Sequence, residues 1–591
     1  MKTPGVPTPV MNTGALSAQS ARLTHAARIE GVTAYGGSHK AERPIDLKLD
    51  ANEGPGPARE ALEPVLRDAA ALARLYPTGI ALEPIIAGRF GLDPSQVVVT
   101  AGADDALERV CRAVLEPGRS AVVAIPTFEM IPRYVALAGG ELRTTPWPDG
   151  PYPIDAILAL ITPDTRVVFL VTPNNPTGGA ATRRDLKSLR DAAPQALIVL
   201  DAAYAEFADE DLTPAALAMP NVIVLRTLSK AWGLAGMRVG FAVGDPAQIE
   251  WLRRVGQPYA VGTVSLAVAR RWLSVGESAM RAGVERVRQE RSDLAAVLRE
   301  LGLEPVQSQA NFVLARTPKA PVIAQLLAGL GIGVRSFPDR PDLRDALRIT
   351  CPAAPAAFNR LCAGLRTAVA PEALIFDMDG VLADVSGSYR AAIVQTCGSY
   401  GVNVSLEDIA TAKAAGDANN DWVLTHRLLS ARSVNAPLPE VTSRFEDRYQ
   451  GTEQSPGLRS TERLMIPRTT LERLSRRAKL AIVTGRPRTD ALRFLQDNGI
   501  ADLFPVVVCM EDAPLKPNPA PVTLALSRLG CTRGWMLGDT VDDIRAARGA
   551  GVVPIGSVPP GESGEVSKSA LLRAGAGLVL SEPAAIEEVF P

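Results

Sequence analysis

From residue 97 onward the chain alternates short apolar runs with longer amphipathic stretches. Residues 97–100, 121–125, 167–171, 197–200 and 221–225 are rich in Val, Ile, Leu and Ala, and the stretch after the first is amphipathic through Leu115. Strand-length runs separated by helical stretches predict a mostly parallel α/β sheet. Each run ends in polar or aromatic residues: Ala101-Gly102-Ala103-Asp104-Asp105, Pro126-Thr127-Phe128, Asn174-Asn175-Pro176-Thr177-Gly178, Asp201-Ala202-Ala203-Tyr204 and Arg226-Thr227-Leu228-Ser229-Lys230. Ligands of open parallel sheets bind beyond the carboxyl ends of the strands, so these five sets are expected to converge on one site. A second alternation begins at 373–376, an apolar run that empties into Asp377-Met378-Asp379-Gly380-Val381. Later runs end at Thr484-Gly485-Arg486, near Lys516-Pro517, and at Gly538-Asp539-Thr540-Val541-Asp542-Asp543.

Length turns the two alternations into two domains. At 591 residues the chain exceeds one typical domain several times over. The expected division is a tail at 1–24, a first domain at 25–369 and a second at 372–591. Helical segments from 388 to about 467, interrupted at 418–422, predict a cap inserted in the second domain. The abrupt join at Ala370-Pro371 predicts domains that abut.

Composition removes several function classes. A net charge of -1, from 63 basic and 64 acidic residues, offers no field for nucleic acid. No apolar run approaches the length of a membrane span, and the first ~20 residues lack the apolar core of a signal peptide. Six cysteines without a C-x-x-C pair point to a reducing, cytoplasmic setting and away from structural zinc. Of the three histidines, none lies in a recognisable nucleophile motif.

The stretch around Lys230 carries the chemistry of the first domain. A lysine amine condenses with the aldehyde of pyridoxal phosphate, and the Thr227 and Ser229 hydroxyls with the Arg238 fork suit its phosphate. An ordinary strand and turn with a surface lysine is the alternative for this stretch alone. Amides at the helix start around Ala103 and Asp104 are free to bind the same phosphate. Asp201 suits the pyridinium nitrogen, Asn175 and Tyr204 the phenolic oxygen, and Phe128 the ring face.

These strings, with Ala51-Asn52-Glu53, Tyr76-Pro77 and Leu347-Arg348-Ile349-Thr350, resemble the class I/II aminotransferases of fold type I, histidinol-phosphate aminotransferases in particular. The resemblance implies a large domain on a mostly parallel sheet plus a small α/β domain, with Lys230 as the Schiff-base lysine and Asp201 as the pyridinium partner. It implies a homodimer in which Tyr76 reaches the neighbouring subunit's cofactor phosphate. Arg335 and Arg348 become substrate-anion ligands, joined at the substrate by Tyr35 and Asn52. The chain departs from the family's usual pattern at Ala202, where Glu is usual, and at Phe128, where Tyr is usual. The loop Asn52-Glu53-Gly54-Pro55-Gly56-Pro57 carries an extra glycine. Phe128 lacks a hydroxyl able to reach a substrate phosphate, so threonine-phosphate decarboxylases and aromatic aminotransferases on this fold stay open as alternatives.

In the second domain two carboxylates one residue apart at a strand end need a cation between them. Asp377 suits a nucleophile on phosphorus and Asp379 the acid for the leaving alkoxide, with Mg²⁺ held by Asp377, Asp539 and the Asp379 carbonyl. Thr484 and Lys516 suit the phosphoryl oxygens. These pieces resemble the haloacid-dehalogenase superfamily, a Rossmann-like domain with a helical cap that selects the substrate. Asn419, Asn420 and His426 are candidates in the cap, against the alternative of solvated helix positions. Together the halves predict a bifunctional enzyme of histidine biosynthesis. It would transaminate between imidazole-acetol phosphate with glutamate and histidinol phosphate with 2-oxoglutarate, and hydrolyse a phosphate monoester, histidinol phosphate by expectation. A non-catalytic sensor or scaffold is the reading of a different class. Regulators on this aminotransferase fold carry a basic helix-turn-helix, and none precedes Tyr35.

Overall fold

The structure is a computed structural model that describes residues 25–30, 32, 43–77, 81–416, 420–452, 455–558 and 564–591. The expected tail, Tyr35 and Asn419 lie outside the described residues.

Seven strands form the largest sheet, in the spatial order Val97–Thr100, Gly240–Val243, Val222–Thr227, Leu197–Asp201, Thr165–Val171, Ser120–Ile125, Glu141–Pro146. All pairings are parallel except the two made by Gly240–Val243. The apolar runs are continuous rather than alternating because both faces are buried: Val168 and Leu170 join one cluster, Val167, Phe169 and Val171 another. Glu141–Pro146 and Gly240–Val243 escape the sequence pattern. The first alternates exposure at a sheet edge, and the second is four residues without a polar strand end.

A smaller sheet of five strands runs Leu47–Leu49, Ile332–Ser336, Ala346–Thr350, Phe312–Arg316, Glu304–Pro305. The amino-terminal strand Leu47–Leu49 pairs parallel to Ile332–Ser336, which brings Asp50, Ala51 and Asn52 to the end of the large sheet. The third sheet is wholly parallel, in the order Val506–Val508, Lys479–Val483, Ala373–Phe376, Gly534–Gly538, Val553–Ser557, Leu578–Leu580. Between its first two strands in sequence lie the helices Tyr389–Gly398, Leu406–Ala415, Asp421–Ser430 and Leu438–Gln450. Among the described residues no helix is long and apolar enough to cross a membrane.

The second and third sheets share one apolar cluster, which runs from Leu326 and Leu327 to Val553, Ile555 and Leu580. The helix Ala320–Gly329 approaches so closely that a Cβ on Gly329 would lie 2.9 Å from the Gly577 backbone. Arg43 donates to the carbonyls of Ala576 (2.7 Å) and Gly577 (3.1 Å), and Asp46 is held by Arg360 and Arg548. The helix Pro355–Val369 leads almost directly into Ala373–Phe376. Carbonyls of a last helical turn have no partner within the helix. Buried Trp535 meets one of them, its Nε1 donating to Thr367 O at 3.0 Å, while its ring packs edge-on against Phe590.

Trp535→Phe is therefore expected to strand that carbonyl, at a cost of about 1–3 kcal/mol. Urea unfolding followed by the loss of phosphate-ester hydrolysis should show a lower midpoint. An unchanged midpoint would show that this bond does not hold the sheet to the helix.

Candidate active sites

The carboxyl ends of the large sheet's strands open on a cavity of about 240 Å³. After Val222–Thr227 the chain turns sharply, with Ser229 N donating to Thr227 Oγ1 at 3.1 Å and Thr227 Oγ1 to Ser229 Oγ at 3.0 Å. The turn aims Lys230 inward, where Nζ donates to Ala51 O at 3.1 Å and lies 5.8 Å from the Tyr204 ring centre. Burial brings the Lys230 pKa down to about 8; Arg348 and Arg238 push the same way, and Asp104 and Glu53 oppose them. The loop after Asn52 lies against this turn. A Cβ on Gly54 would sit 1.9 Å from Lys230 O, and one on Gly233, at φ +65°, 1.9 Å from Pro55 O. Gly54, one of the two glycines in this loop, is thus where two backbones touch.

Asp201 ends the neighbouring strand, buried, its Oδ1 accepting from Ala203 N at 3.1 Å. Burial lifts its carboxyl to about 6, and no salt bridge among the described residues reaches it. Arg238, in the left-handed region at φ +52°, donates to Asp104 Oδ2 at 2.9 Å and to Ser229 Oγ at 3.5 Å. These groups fit pyridoxal phosphate. A buried carboxylate without a contact cation awaits a ring N–H⁺, and two hydroxyls, a guanidinium and the first turn of Gly102–Val114 surround a place for the phosphate.

The cavity also carries the guanidiniums of Arg348 and Arg335. Buried Arg348 donates Nη1 to Asn175 Oδ1 at 2.5 Å and Nη2 to Asp50 O at 2.6 Å, while its Nε has no hydrogen-bond partner among the described residues. Burial lowers its pKa to about 10, so it stays charged at neutral pH. Asn52 holds the Tyr204 hydroxyl, Nδ2 donating to it at 2.9 Å, and is itself fixed by Thr350 and Asn311. Burial raises the Tyr204 hydroxyl to about 12. Arg335 lies 3.8 Å from Glu129, and Phe128 lines the cavity beside it.

The second candidate site lies at the carboxyl end of Ala373–Phe376. Ligand oxygens of Asp377, Asp539 and Asp543 come within 4.8 Å of one another, all three residues buried. Lys516 bridges two of them, 2.7 Å from Asp377 Oδ1 and 2.5 Å from Asp543 Oδ1. Burial lifts Asp377 to about 7 and Asp539 well above the carboxylate range. Three buried carboxylates, two of them on the Lys516 ammonium and the third 3.8 Å from the Arg390 guanidinium, fit a hard divalent cation such as Mg²⁺. Gly380, at φ +73°, makes room: a Cβ there would lie 2.3 Å from Asp539 Oδ2.

Asp379 stands apart from that cluster. Its Oδ1 accepts from Arg486 Nε at 2.8 Å and Nη2 at 2.6 Å, and the same guanidinium donates to Glu462 at 3.0 and 3.1 Å. Arg486 is 2% exposed and lies under the Tyr389 ring. Thr484 Oγ1 accepts from Arg486 N at 3.1 Å. Facing Asp379 across a small cleft are Asn420, Asp421 and Trp422.

Of the residues named from sequence, Asn52, Ala103, Asp104, Phe128, Asn175, Asp201, Tyr204, Thr227, Ser229, Lys230, Arg238, Arg335 and Arg348 line the first cavity. Tyr76 does not: it is 74% exposed and stacked on Tyr259 at 4.7 Å. His426 is half-buried on its helix, outside the cleft that Asn420 lines. Sequence reasoning passed over Asp543, Arg486, Glu462 and Arg340. The signal for Asp543 was its place four residues after Asp539, where Thr540 caps the helix Val541–Gly549 through it. Arg486 follows Thr484 in the quoted motif, and Glu462 and Arg340 had no signal.

Residues 45–364 match the family described as aminotransferase class I and II, and residues 374–556 that described as haloacid dehalogenase-like hydrolase. A histidinol-phosphate aminotransferase 2 of Methylococcus capsulatus is 38% identical over 297 residues, 48% of this chain and 80% of that protein. An imidazoleglycerol-phosphate dehydratase of Phytophthora nicotianae is 50% identical over 197 residues, 32% of this chain; the chain spans under half of that relative, 44%. Among solved structures, a histidinol-phosphate aminotransferase of Sinorhizobium meliloti in complex with pyridoxal-5'-phosphate superposes with a TM-score of 0.52 at 26% identity, covering 59% of this chain and 98% of that one. With a half-buried lysine and a buried aspartate lining one cavity at the strand ends of its main sheet, the chain belongs to the class I and II aminotransferases, pyridoxal phosphate enzymes, and carries a haloacid dehalogenase-like hydrolase domain behind that fold.

Proposed function

We propose that the chain interconverts imidazole-acetol phosphate with glutamate and histidinol phosphate with 2-oxoglutarate at its first site, and hydrolyses histidinol phosphate at its second. The observation that carries this is a cavity lined by Lys230 together with Arg335, Arg340 and Arg348, in the same chain as a cluster of buried carboxylates suited to phosphoryl transfer. The names of the Methylococcus and Phytophthora relatives both refer to phosphate esters that carry an imidazole, which supports the choice.

At the first site Lys230, with its depressed pKa, is the group that takes and returns the proton at the substrate's Cα. Asp201, Tyr204 and Asn175 orient the ring, and Arg348 and Arg335 hold the substrate's anions. Pyridoxal phosphate, when bound, supplies an electron sink for that carbon. Tyr76, exposed on its own subunit, completes the phosphate grip of a second copy in a homodimer.

At the second site the Asp377 carboxylate attacks phosphorus and forms an acyl phosphate as the P–O bond to the leaving group breaks. Asp379 gives the departing alkoxide its proton and then takes one from the water that cleaves the acyl phosphate, which regenerates Asp377. Lys516 and Thr484 hold the phosphoryl oxygens, and the carboxylates of Asp377, Asp539 and Asp543 would hold Mg²⁺. The bidentate grip of Arg486 fixes Asp379 toward the cleft under the four inserted helices, which read as a cap.

Incubated with histidinol phosphate and Mg²⁺, the protein should release inorganic phosphate. From imidazole-acetol phosphate plus glutamate, wild type should yield histidinol, and Asp377→Asn should stop at histidinol phosphate with hydrolysis down by at least about 10³-fold. A wild type that leaves the ester intact, or that prefers an unrelated sugar phosphate by a wide margin in kcat/KM, overturns the reading.

Mixing inactive Lys230→Ala subunits with inactive Tyr76→Ala subunits should restore up to about a quarter of the active sites, because each mixed dimer carries one site with both residues. No recovery after proven subunit exchange would place Tyr76 in its own chain's site.

In the cofactor-free protein, acylation of Lys230 followed by mass spectrometry should rise through pH about 8, well before exposed lysines react. Below that pH the amine is protonated and unreactive; above it the neutral form dominates. A midpoint near 10.5 would mean that burial does not set its basicity.

A further inference from the structure

Four arginines line the first cavity, Arg238 beside the place for the cofactor phosphate and, besides it, Arg335, Arg340 and Arg348. We infer that Arg340 is a specificity-determining ligand for the substrate's phosphate, an assignment that rests on the phosphorylated-substrate reading given above.

The donors available decide it. A phosphate monoester is a dianion with three terminal oxygens, and Arg–phosphate pairs gain most when both arms of the fork engage. Arg348 spends an N–H of each Nη on a protein oxygen, Nη1 on Asn175 and Nη2 on Asp50 O, and these buried contacts already engage both arms of its fork. Arg335 holds Glu129 loosely, at 3.8 Å, and that carboxylate is open to solvent. One such guanidinium balances half of a dianion.

Arg340 supplies the other half. It lies just beyond the strand Ile332–Ser336, and its Nη1 donates to Thr127 O over 3.5 Å, which puts the guanidinium beside the loop that carries Phe128. The Phe128 side chain offers no hydrogen bond, so the donor on that side of the cavity is Arg340. The remaining arms of Arg340 bond Asp342, itself 40% exposed. Arg335 and Arg340 thus each pair with a solvent-facing carboxylate, a partner that an incoming dianion can displace at little cost, whereas the contacts of Arg348 are buried. A glutamate side chain, carrying one charge, is served by Arg335 alone.

The test uses the full-length holoenzyme in EDTA, so that no ester is hydrolysed, and inorganic phosphate as inhibitor of the glutamate half-reaction. Arg340→Ala should raise the Ki of phosphate roughly 10- to 100-fold, the range for losing a charge-assisted hydrogen-bond pair. Its kcat with glutamate should hold and its KM change by less than about threefold, and Arg340→Lys should recover part of the phosphate affinity as a point charge. Histidinol phosphate should show the same split, with KM raised and kcat kept. The assignment is overturned if phosphate fails to inhibit wild type, if Arg340→Ala leaves Ki unchanged, or if kcat with glutamate falls alongside phosphate affinity. If phosphate inhibition depends on Arg340 while wild type ignores histidinol phosphate, Arg340 stands and the proposed substrate falls.

Discussion

A carboxylate buried at the end of a parallel strand is costly unless a positive charge meets it, and both halves of this chain are built around that cost. In the first sheet Asp201 ends a strand with both faces covered, and burial drives its carboxyl toward the neutral form. In the third sheet Asp377 does the same beside Asp539 and Asp543, with the Lys516 ammonium set against two of the three. Each site is therefore most stable with a cationic group supplied from outside the protein, a protonated ring nitrogen in one and a divalent cation in the other. The parallel sheet creates this situation, because its strand ends are the one place where a buried backbone opens to a ligand.

The amino-terminal strand ties these sites into one body. Residues just ahead of Leu47–Leu49 are held by the phosphohydrolase fold, through Arg43 to Ala576 and Gly577 and through Arg548 to Asp46. Residues just after it form the wall of the first cavity, where Asp50 O accepts from Arg348, Ala51 O from Lys230, and Asn52 fixes Tyr204. A nine-residue span thus leads from one domain's surface to the other's reactive lysine. The apolar cluster shared by the second and third sheets keeps the ends of that span in register.

What the sequence disclosed follows from how local each signal is. Lys230, Asp201 and Asp377 were legible because each directly follows or ends a buried strand, where a polar residue after an apolar run stands out. Five strands of the seven-stranded sheet were legible for the same reason; the edge strand Glu141–Pro146, half-exposed, and the short Gly240–Val243, without a polar end, were not. Arg486 with Glu462 and Arg340 with Thr127 are partnerships between residues 24 and 213 positions apart, and no local pattern encodes them. Phe128 and the glycine-bearing loop 52–57 read from sequence as departures from a family; in the structure Arg340 bonds the carbonyl next to Phe128, and Gly54 packs against the Lys230 carbonyl.

The two grips on phosphate also constrain how the halves work together. On the proposed reading, a phosphate ester at the first site would be held by guanidiniums, which bind oxygens without attacking phosphorus. At the second, Lys516 is committed to Asp377 and Asp543, so its ammonium meets the phosphoryl group only with the nucleophile already in contact. One phosphate cannot satisfy both sets of donors, and the sites lie at the strand ends of different sheets. An ester made at the first must therefore leave it before hydrolysis, and the covalent join raises its local concentration at the second without handing it over. Tight binding by the arginines then works against flux, since release precedes hydrolysis. Solvent-facing acids beside Arg335 and Arg340 meet that requirement by offering each guanidinium a partner to return to when the ester departs.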